Sequence, residues 1–296
     1  MPYFEENFSV RSHKLLYDGK NVDFFQTPNY SRRGTFDPKY LILHYTASVS
    51  AASAINWFKN SNANASAHFI VDYDGKITQC GKLNQKLWHA GKSNYRGING
   101  LNGHSFGIEL VNPGHMEILS DGRYKSWFGK VYTQGDFVEA EDGNLYQIEI
   151  VEDVHEIMGG KKYGWMLATP EQIESTIMLG SFLMNKYNLR DVLPHELISK
   201  GRKWDTGPTL PKSVYDRISN RDDSKEDEST FEVSVNTFLN MRAWPSFESR
   251  VIAKLPNNTM VDVERYKEDL GVKWAKIRTF EDDMEGWVAS NFLRKV

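Results

Sequence analysis

Tyr40-Leu41-Ile42-Leu43 is an unbroken apolar run that ends in His44-Tyr45-Thr46-Ala47-Ser48. A run this short predicts a buried strand whose end delivers polar groups to an edge. From Ser50 to Lys59 the spacing of Ala54, Ile55 and Phe58 predicts a helix, which Asn60 to Asn64 break. His68-Phe69-Ile70-Val71 and Lys76-Ile77-Thr78-Gln79 flank Asp72-Tyr73-Asp74-Gly75, a hairpin signal built on an Asp-Gly turn. Phe106 to Val111 predicts a third central strand. Thr169-Pro170-Glu171-Gln172 joins an N-cap, a proline at the first helical position and a capping-box glutamine, opening a helix to about Tyr187.

Between these elements, residues 112–168 contain Gly-rich turns and alternating runs such as Leu145-Tyr146-Gln147-Ile148-Glu149-Ile150, predicting an insertion of one or two hairpins. It starts just after Glu109, so it either shapes a substrate groove or elaborates the surface. From Asn220 to Ser229 apolar residues vanish and charge dominates, as in a solvated linker. Beyond it come short strand-like runs at Phe231 to Val235, Val251 to Leu255, Val261 to Tyr266, Trp274 to Thr279 and Gly286 to Ala289. Pro245, Pro256-Asn257-Asn258 and Asp282-Asp283 separate them, which predicts a small β-barrel. The expected organisation is an α/β domain over 1–218, a linker over 219–230 and a barrel over 231–296.

A chain of 296 residues is long enough for two cores. Its net charge of -3 lacks the basic footprint that duplex nucleic acid demands. The single cysteine, Cys80, can form no internal disulfide and lacks the neighbours of an activated thiolate. No stretch approaches the ~20 apolar residues of a membrane span.

The candidate chemistry lies between Pro194 and Pro208, a polar stretch holding His195, Lys203 and Asp205. Imidazole and carboxylate are ligand types that zinc accepts. A lysine two residues from a ligand repels a metal ion unless it serves a substrate.

Four segments resemble the zinc-dependent N-acetylmuramoyl-L-alanine amidases, a group that includes peptidoglycan recognition proteins and phage amidase lysozymes. They are Leu41 to Ala47, Trp88-His89-Ala90-Gly91, Ser105 to Leu110, and His195 to Pro208 with its Arg202-Lys203-Trp204-Asp205 core. The resemblance covers roughly 40–210 and implies a central mixed β-sheet flanked by helices. It implies one Zn2+ per chain held by His44, His195 and Asp205. Glu109 would be the proton-transferring base, and Lys203 would face the developing oxyanion. Leu239 to Arg242, Trp274 to Ile277 and Glu285 to Val288 resemble a bacterial SH3 domain, a type that commonly binds cell-wall material.

The implied partner is peptidoglycan or its muropeptides, and the implied reaction cleaves the amide between N-acetylmuramic acid and L-alanine. The alternative is a recognition protein that binds peptidoglycan without turnover. Two departures stand out: Thr206 replaces the proline usual after the zinc aspartate, and Glu196 to Arg202 departs from the common Ala-Pro-containing stretch. Trp88, His89 and Arg96 are expected to contact substrate, with a buried-ring anchor as the rival for Trp88 and a structural role as the rival for His89. Arg96 suits a substrate carboxylate. His68 is expected to be a hydrogen-bonded structural residue. His13, His104, His115 and His155 have no constellation in the sequence. Met1 to Leu16 carries no continuous apolar run, so the expectation is synthesis in the cytoplasm and action on the wall after release, for example as a phage endolysin.

Overall fold

The computed structural model describes residues 5–219, 230–243, 245–269, 271–282 and 284–296. The expected linker at 220–229 and the turn residue Asp283 lie outside them. The chain divides into two compact units, Met1–Arg221 and Asp222–Val296. Among the described residues, no helix is long and apolar enough to cross a membrane.

The first unit is built on a six-stranded mixed sheet. Across it the strands run Asp191–Pro194, Tyr40–Tyr45, Ser105–Leu110, Phe69–Val71, Ile77–Gln79 and Asp23–Phe24. The first four are mutually parallel, and Phe69–Val71 turns back antiparallel into Ile77–Gln79 through the expected hairpin. Gly75, at φ +80°, is required in that hairpin because a Cβ there would lie 2.6 Å from the Glu171 carbonyl oxygen.

One face packs Leu41, Leu43, Phe106, Ile108 and Leu110 against Ile177, Leu179, Leu183 and Met184 of the helix Pro170–Tyr187. The capping box forms as expected from sequence, with the Thr169 hydroxyl accepting from the Gln172 N–H and the Gln172 side chain accepting from the Thr169 N–H. Gln172 Nε2 also donates to the carbonyls of Val71 and Val111, tying the helix start to two strand ends. The helix Ala51–Lys59 begins at an N-cap, where the Ser50 hydroxyl accepts from the Ser53 N–H.

The inserted segment is more than one or two hairpins. It forms a five-stranded antiparallel sheet in the order Val131–Tyr132, Tyr124–Lys125, His115–Ile118, Gly159–Met166, Ile150–His155, with a further hairpin Phe137–Glu139/Leu145–Gln147. Met116, Tyr132, Val138, Ile150 and Met166 share one core with Ala54 and Phe58 of the first helix and with Ile70 of the central sheet. A surface elaboration has no such shared core, so that alternative is corrected. The N-terminal hairpin Phe8–Arg11/Lys14–Tyr17 was also unforeseen. It lends Phe8 and Leu15 to the main core, and the Leu15 N–H donates to buried Gln79 Oε1.

Among its described residues the second unit is built of strands, apart from the 3₁₀ turn Ser290–Phe292. Its seven antiparallel strands run Val251–Pro256, Phe238–Arg242, Glu285–Ala289, Val272–Thr279, Met260–Asp269, Thr230–Val233, Leu293–Lys295. Phe238–Arg242 and Leu293–Lys295 add two strands to the five runs read from the sequence. Leu239, Met241, Leu255, Val261, Ile277 and Val288 fill its core.

Candidate metal centre

Strand register builds the site. Glu109 pairs with His44 across the parallel strands, so both project from the same face at the same level. Pro194 pairs with Leu43, which places His195 beside His44 as the next residue along. His195 opens the one-turn helix His195–Ile198, and the chain then loops through 199–206 back to Asp205. The loop closes because the Glu196 N–H donates to the Asp205 carbonyl at 2.8 Å and the Gly207 N–H donates to Glu196 Oε1 at 3.1 Å. Arg202 is a tether: its guanidinium donates to the carbonyls of Ala90 and Lys92 and to the Ser199 hydroxyl. The Asp205–Thr206 peptide is cis.

His44 Nδ1, His195 Nδ1 and Asp205 Oδ2 form a buried triangle with edges of 2.9, 2.9 and 2.7 Å. Its hydrogen-bond surroundings fix which lone pairs face inward. His89 Nε2 faces the Ser105 carbonyl at 3.1 Å, which only accepts, so Nε2 carries the proton and Nδ1 accepts from His44 Nε2–H at 3.1 Å. His195 Nε2–H likewise donates to the Ala90 carbonyl at 3.2 Å. Both Nδ1 atoms therefore point lone pairs at a carboxylate oxygen. Three acceptors converging on one point repel one another unless a cation lies between them, so this donor set fits a metal ion and suits zinc.

Burial, then the His195 imidazole, pushes His44 down to about 4, against the pull of Asp205, so the imidazole is neutral at physiological pH. Burial alone would raise the Asp205 carboxyl, but His195 and His44 hold it well below the usual carboxylate range.

Glu109 and Lys203 flank this triangle. Glu109 Oε2 is buried and has no hydrogen-bond partner among the described residues. Burial, reinforced by Asp205 and opposed by the Lys203 ammonium, pushes the Glu109 carboxyl well above its usual range. Lys203 is half-buried, and its charge also acts on His44.

The expected substrate contacts fare differently. His89 does not line a groove: it is 7% exposed and supports His44 from behind, and burial with the His44 and His68 imidazoles keeps it neutral. Gly107 makes its position available, since a Cβ there would lie 2.6 Å from the His89 ring. Trp88 is half-buried, its indole N–H donating to Ser31 Oγ at 2.9 Å. Arg96 is exposed, its guanidinium 5.3 Å over the Tyr95 ring. His68 is structural as expected, Nδ1 accepting from the Gly107 N–H and Nε2 donating to the Gln85 carbonyl. Cys80 is buried, and burial raises its thiol well above the ordinary value, so it is no thiolate. Trp127, which stands in no motif of the sequence, is 72% exposed, and its indole N–H donates to the carbonyl of Ala47, three residues past His44. An exposed tryptophan pinned by its N–H is visible only in three dimensions.

Glu196 yields a pH prediction. Burial raises its carboxyl from 4.5 to about 7, and Oε2 has no hydrogen-bond partner among the described residues. A raised acid favours the protonated folded state, so stability falls as pH rises from about 4.5 through about 7 and is flat above. Glu196→Gln keeps the acceptor for Gly207 and removes the charge. In thermal unfolding of the metal-free chain it is expected to exceed the parent by up to about 3 kcal/mol at pH 8, with no advantage at pH 4.5. An advantage independent of pH would contradict the assignment.

Fold and site together bring His44, His195 and a half-buried Glu109 to the C-terminal ends of parallel strands, where Asp205 of the following loop completes a His-His-Asp group that could hold a metal ion. The chain belongs to the N-acetylmuramoyl-L-alanine amidase family, which residues 34–208 match, and residues 237–294 match the bacterial SH3 domain. It is 27% identical over 182 residues to the N-acetylmuramoyl-L-alanine amidase AmiD of Escherichia coli, covering 58% of this chain and 50% of that protein. It is 38% identical over 61 residues to the 1,6-anhydro-N-acetylmuramyl-L-alanine amidase AmpD of Haemophilus influenzae, covering 21% of this chain and 33% of that protein. The chain thus spans a third to a half of the length of these relatives. Among solved structures it is similar to the E. coli AmiD complex with anhydro-N-acetylmuramic acid-L-Ala-D-gamma-Glu-L-Lys, with a TM-score of 0.42, 22% identity, and 72% and 66% of the two chains covered.

Proposed function

We propose that this protein is a zinc-dependent N-acetylmuramoyl-L-alanine amidase that hydrolyses the amide between the lactyl group of N-acetylmuramic acid and L-alanine in peptidoglycan or its muropeptides. The observation that carries the proposal is the His44–His195–Asp205 triangle with Glu109 in register beside it, its buried Oε2 without a hydrogen-bond partner among the described residues. His44, His195 and Asp205 would hold the zinc, which would supply a Lewis acid that brings the pKa of a water to about 7 and a positive charge that lowers the raised Glu109 carboxyl.

The chain's own residues divide the rest of the work. Glu109 accepts the proton of the attacking water and gives it to the departing L-alanine amine as the C–N bond breaks. Lys203 stabilises the negative charge that appears on the lactyl oxygen only in the tetrahedral state, which favours turnover over binding alone. A non-catalytic recognition protein would need neither group. Trp88, Trp127 and Arg96 are the proposed contacts to sugar and stem peptide. Chelation is expected to abolish release of peptides from purified cell walls and added zinc to restore it. Release that survives complete removal of metal would contradict the proposal.

The second unit is proposed to hold the enzyme on the wall. It carries a groove of about 450 Å³ whose lining includes Phe238, Asn240, Arg242, Phe247, Trp274 and Phe292. Phe247 is exposed and meets Trp274 edge-on at 5.0 Å, giving a ring surface suited to sugar or peptide faces. A chain truncated before Phe231 is expected to bind sacculi about tenfold more weakly or worse, while hydrolysing soluble muropeptides at an unchanged rate. Equal losses on both substrates would count against a targeting role.

A further inference from the structure

Asp205 is the ligand with the least regular support, since it stands in a loop rather than on a strand or helix. Metal ligands need to be held within about 0.5 Å to keep their geometry. The support comes from the inserted sheet, which grips the backbone on both sides of Asp205. On the N-terminal side, Trp204 is enclosed by four rings of that sheet. His115 stacks on it at 4.5 Å and 23°, while His155, Tyr163 and Trp165 meet it at 5.2, 5.4 and 6.4 Å. His115 pairs with Trp165 across the strands, and Tyr163 is two residues from Trp165, so strand alternation puts these three rings on one face. Trp165 is fully buried, and its indole N–H donates to the Asp153 carbonyl, which locks that ring within its own sheet. On the C-terminal side, Gly207 at φ +53° lies so close that a Cβ would be 2.7 Å from Trp165 and 3.3 Å from His155.

His155 completes the grip with a specific hydrogen bond. Its ring is 1% exposed. Nδ1 receives the N–H groups of Ile157 and Met158 at 3.1 and 3.0 Å, so it is the acceptor and the proton sits on Nε2. Nε2–H then donates to the Trp204 carbonyl at 3.2 Å. A buried imidazole with both nitrogens engaged joins the turn of the inserted hairpin to the residue before a metal ligand. An aliphatic side chain would fill the same volume without directing that carbonyl.

We propose that the inserted sheet is the scaffold of the metal loop and that His155 is a positioning residue for Asp205, acting through the Trp204 carbonyl. The proposal rests on the metal-centre reading and is independent of which bond the enzyme cleaves. Two substitutions separate the two ends of the imidazole. His155→Gln retains a donor near the Nε2 position, and His155→Asn retains only an acceptor near Nδ1. The test measures zinc affinity of the full-length chain by chelator competition, the visible absorption of the cobalt-substituted protein, and the unfolding midpoint without metal. His155→Asn is expected to bind zinc roughly 10- to 100-fold more weakly, the range typical when the outer support of a metal ligand is lost, and to alter the cobalt spectrum. His155→Gln is expected to stay within about threefold of the parent, even where the two variants unfold at similar temperatures. His115→Ala, which removes the ring stacked on Trp204 from a half-buried position, is expected to weaken zinc in the same direction. Unchanged zinc affinity in His155→Asn and His115→Ala would overturn the proposal, as would equal losses in the Gln and Asn variants. A parent chain that binds no zinc would overturn both the proposal and the metal centre.

Discussion

Glu109→Gln is expected to lower kcat roughly a thousandfold while leaving zinc content and KM near those of the parent, the size of effect a positioned general base supplies. The amide preserves the volume of the carboxylate and removes its capacity to take a proton. Glu109 is in register with His44 yet outside the ligand triangle, so its loss leaves the three donor atoms in place. Glu109 Oε2 is also buried without a partner among the described residues, so its replacement breaks no hydrogen bond of that oxygen. Metal analysis and steady-state rates on a defined muropeptide check both halves. Full activity in the variant would remove Glu109 from the mechanism, and lost zinc would make it a ligand instead.

His195→Ala is expected to abolish activity by a different route, weakening zinc by more than about a hundredfold, beyond the loss typical of an outer supporting residue. It removes one corner of the triangle and leaves the Asp205 carboxylate, 6% exposed, without its 2.7 Å partner. Because the three acceptors repel one another without a cation, and His44 Nδ1 stays 2.9 Å from Asp205, the variant is expected to keep its metal-free stability within about 1 kcal/mol of the parent and to lose the stabilisation that zinc adds. Equilibrium unfolding and metal analysis measure the two effects separately. Parent-like zinc affinity would contradict the ligand assignment.

Much of the central sheet was legible because its signals are local. The apolar run at 40–43, the Asp-Gly turn at 74–75 and the capping box at 169–172 each fit within one window of sequence. The inserted sheet was not legible, since strands as short as Tyr124–Lys125 and Val131–Tyr132 hold too few residues to show a period. Its order also pairs His115 with Trp165, fifty residues away. His44, Glu109, His195 and Asp205 were found through a resemblance of segments, and their convergence depends on parallel register that no window contains.

The roles of the other histidines were hidden for the same reason. His89 sits beside Trp88 in sequence, which suggested a groove, but the missing side chain of Gly107 admits it behind His44. His155 had no neighbours in sequence that marked it, and its constellation is the turn at 157–158 together with the Trp204 carbonyl. A positioning role leaves little trace in a single sequence, because its partners are backbone atoms.

Hydrolysis of a defined muropeptide in ¹⁸O-labelled water tests the central claim most directly, because the label reports which bond was cut. Amide cleavage by the proposed route puts the label on the lactyl carboxylate of the muramic acid product and releases an unlabelled peptide with L-alanine at its amino terminus. Label on a sugar hydroxyl or a peptide carboxylate, or intact substrate bound by the zinc-loaded chain without product, would contradict it.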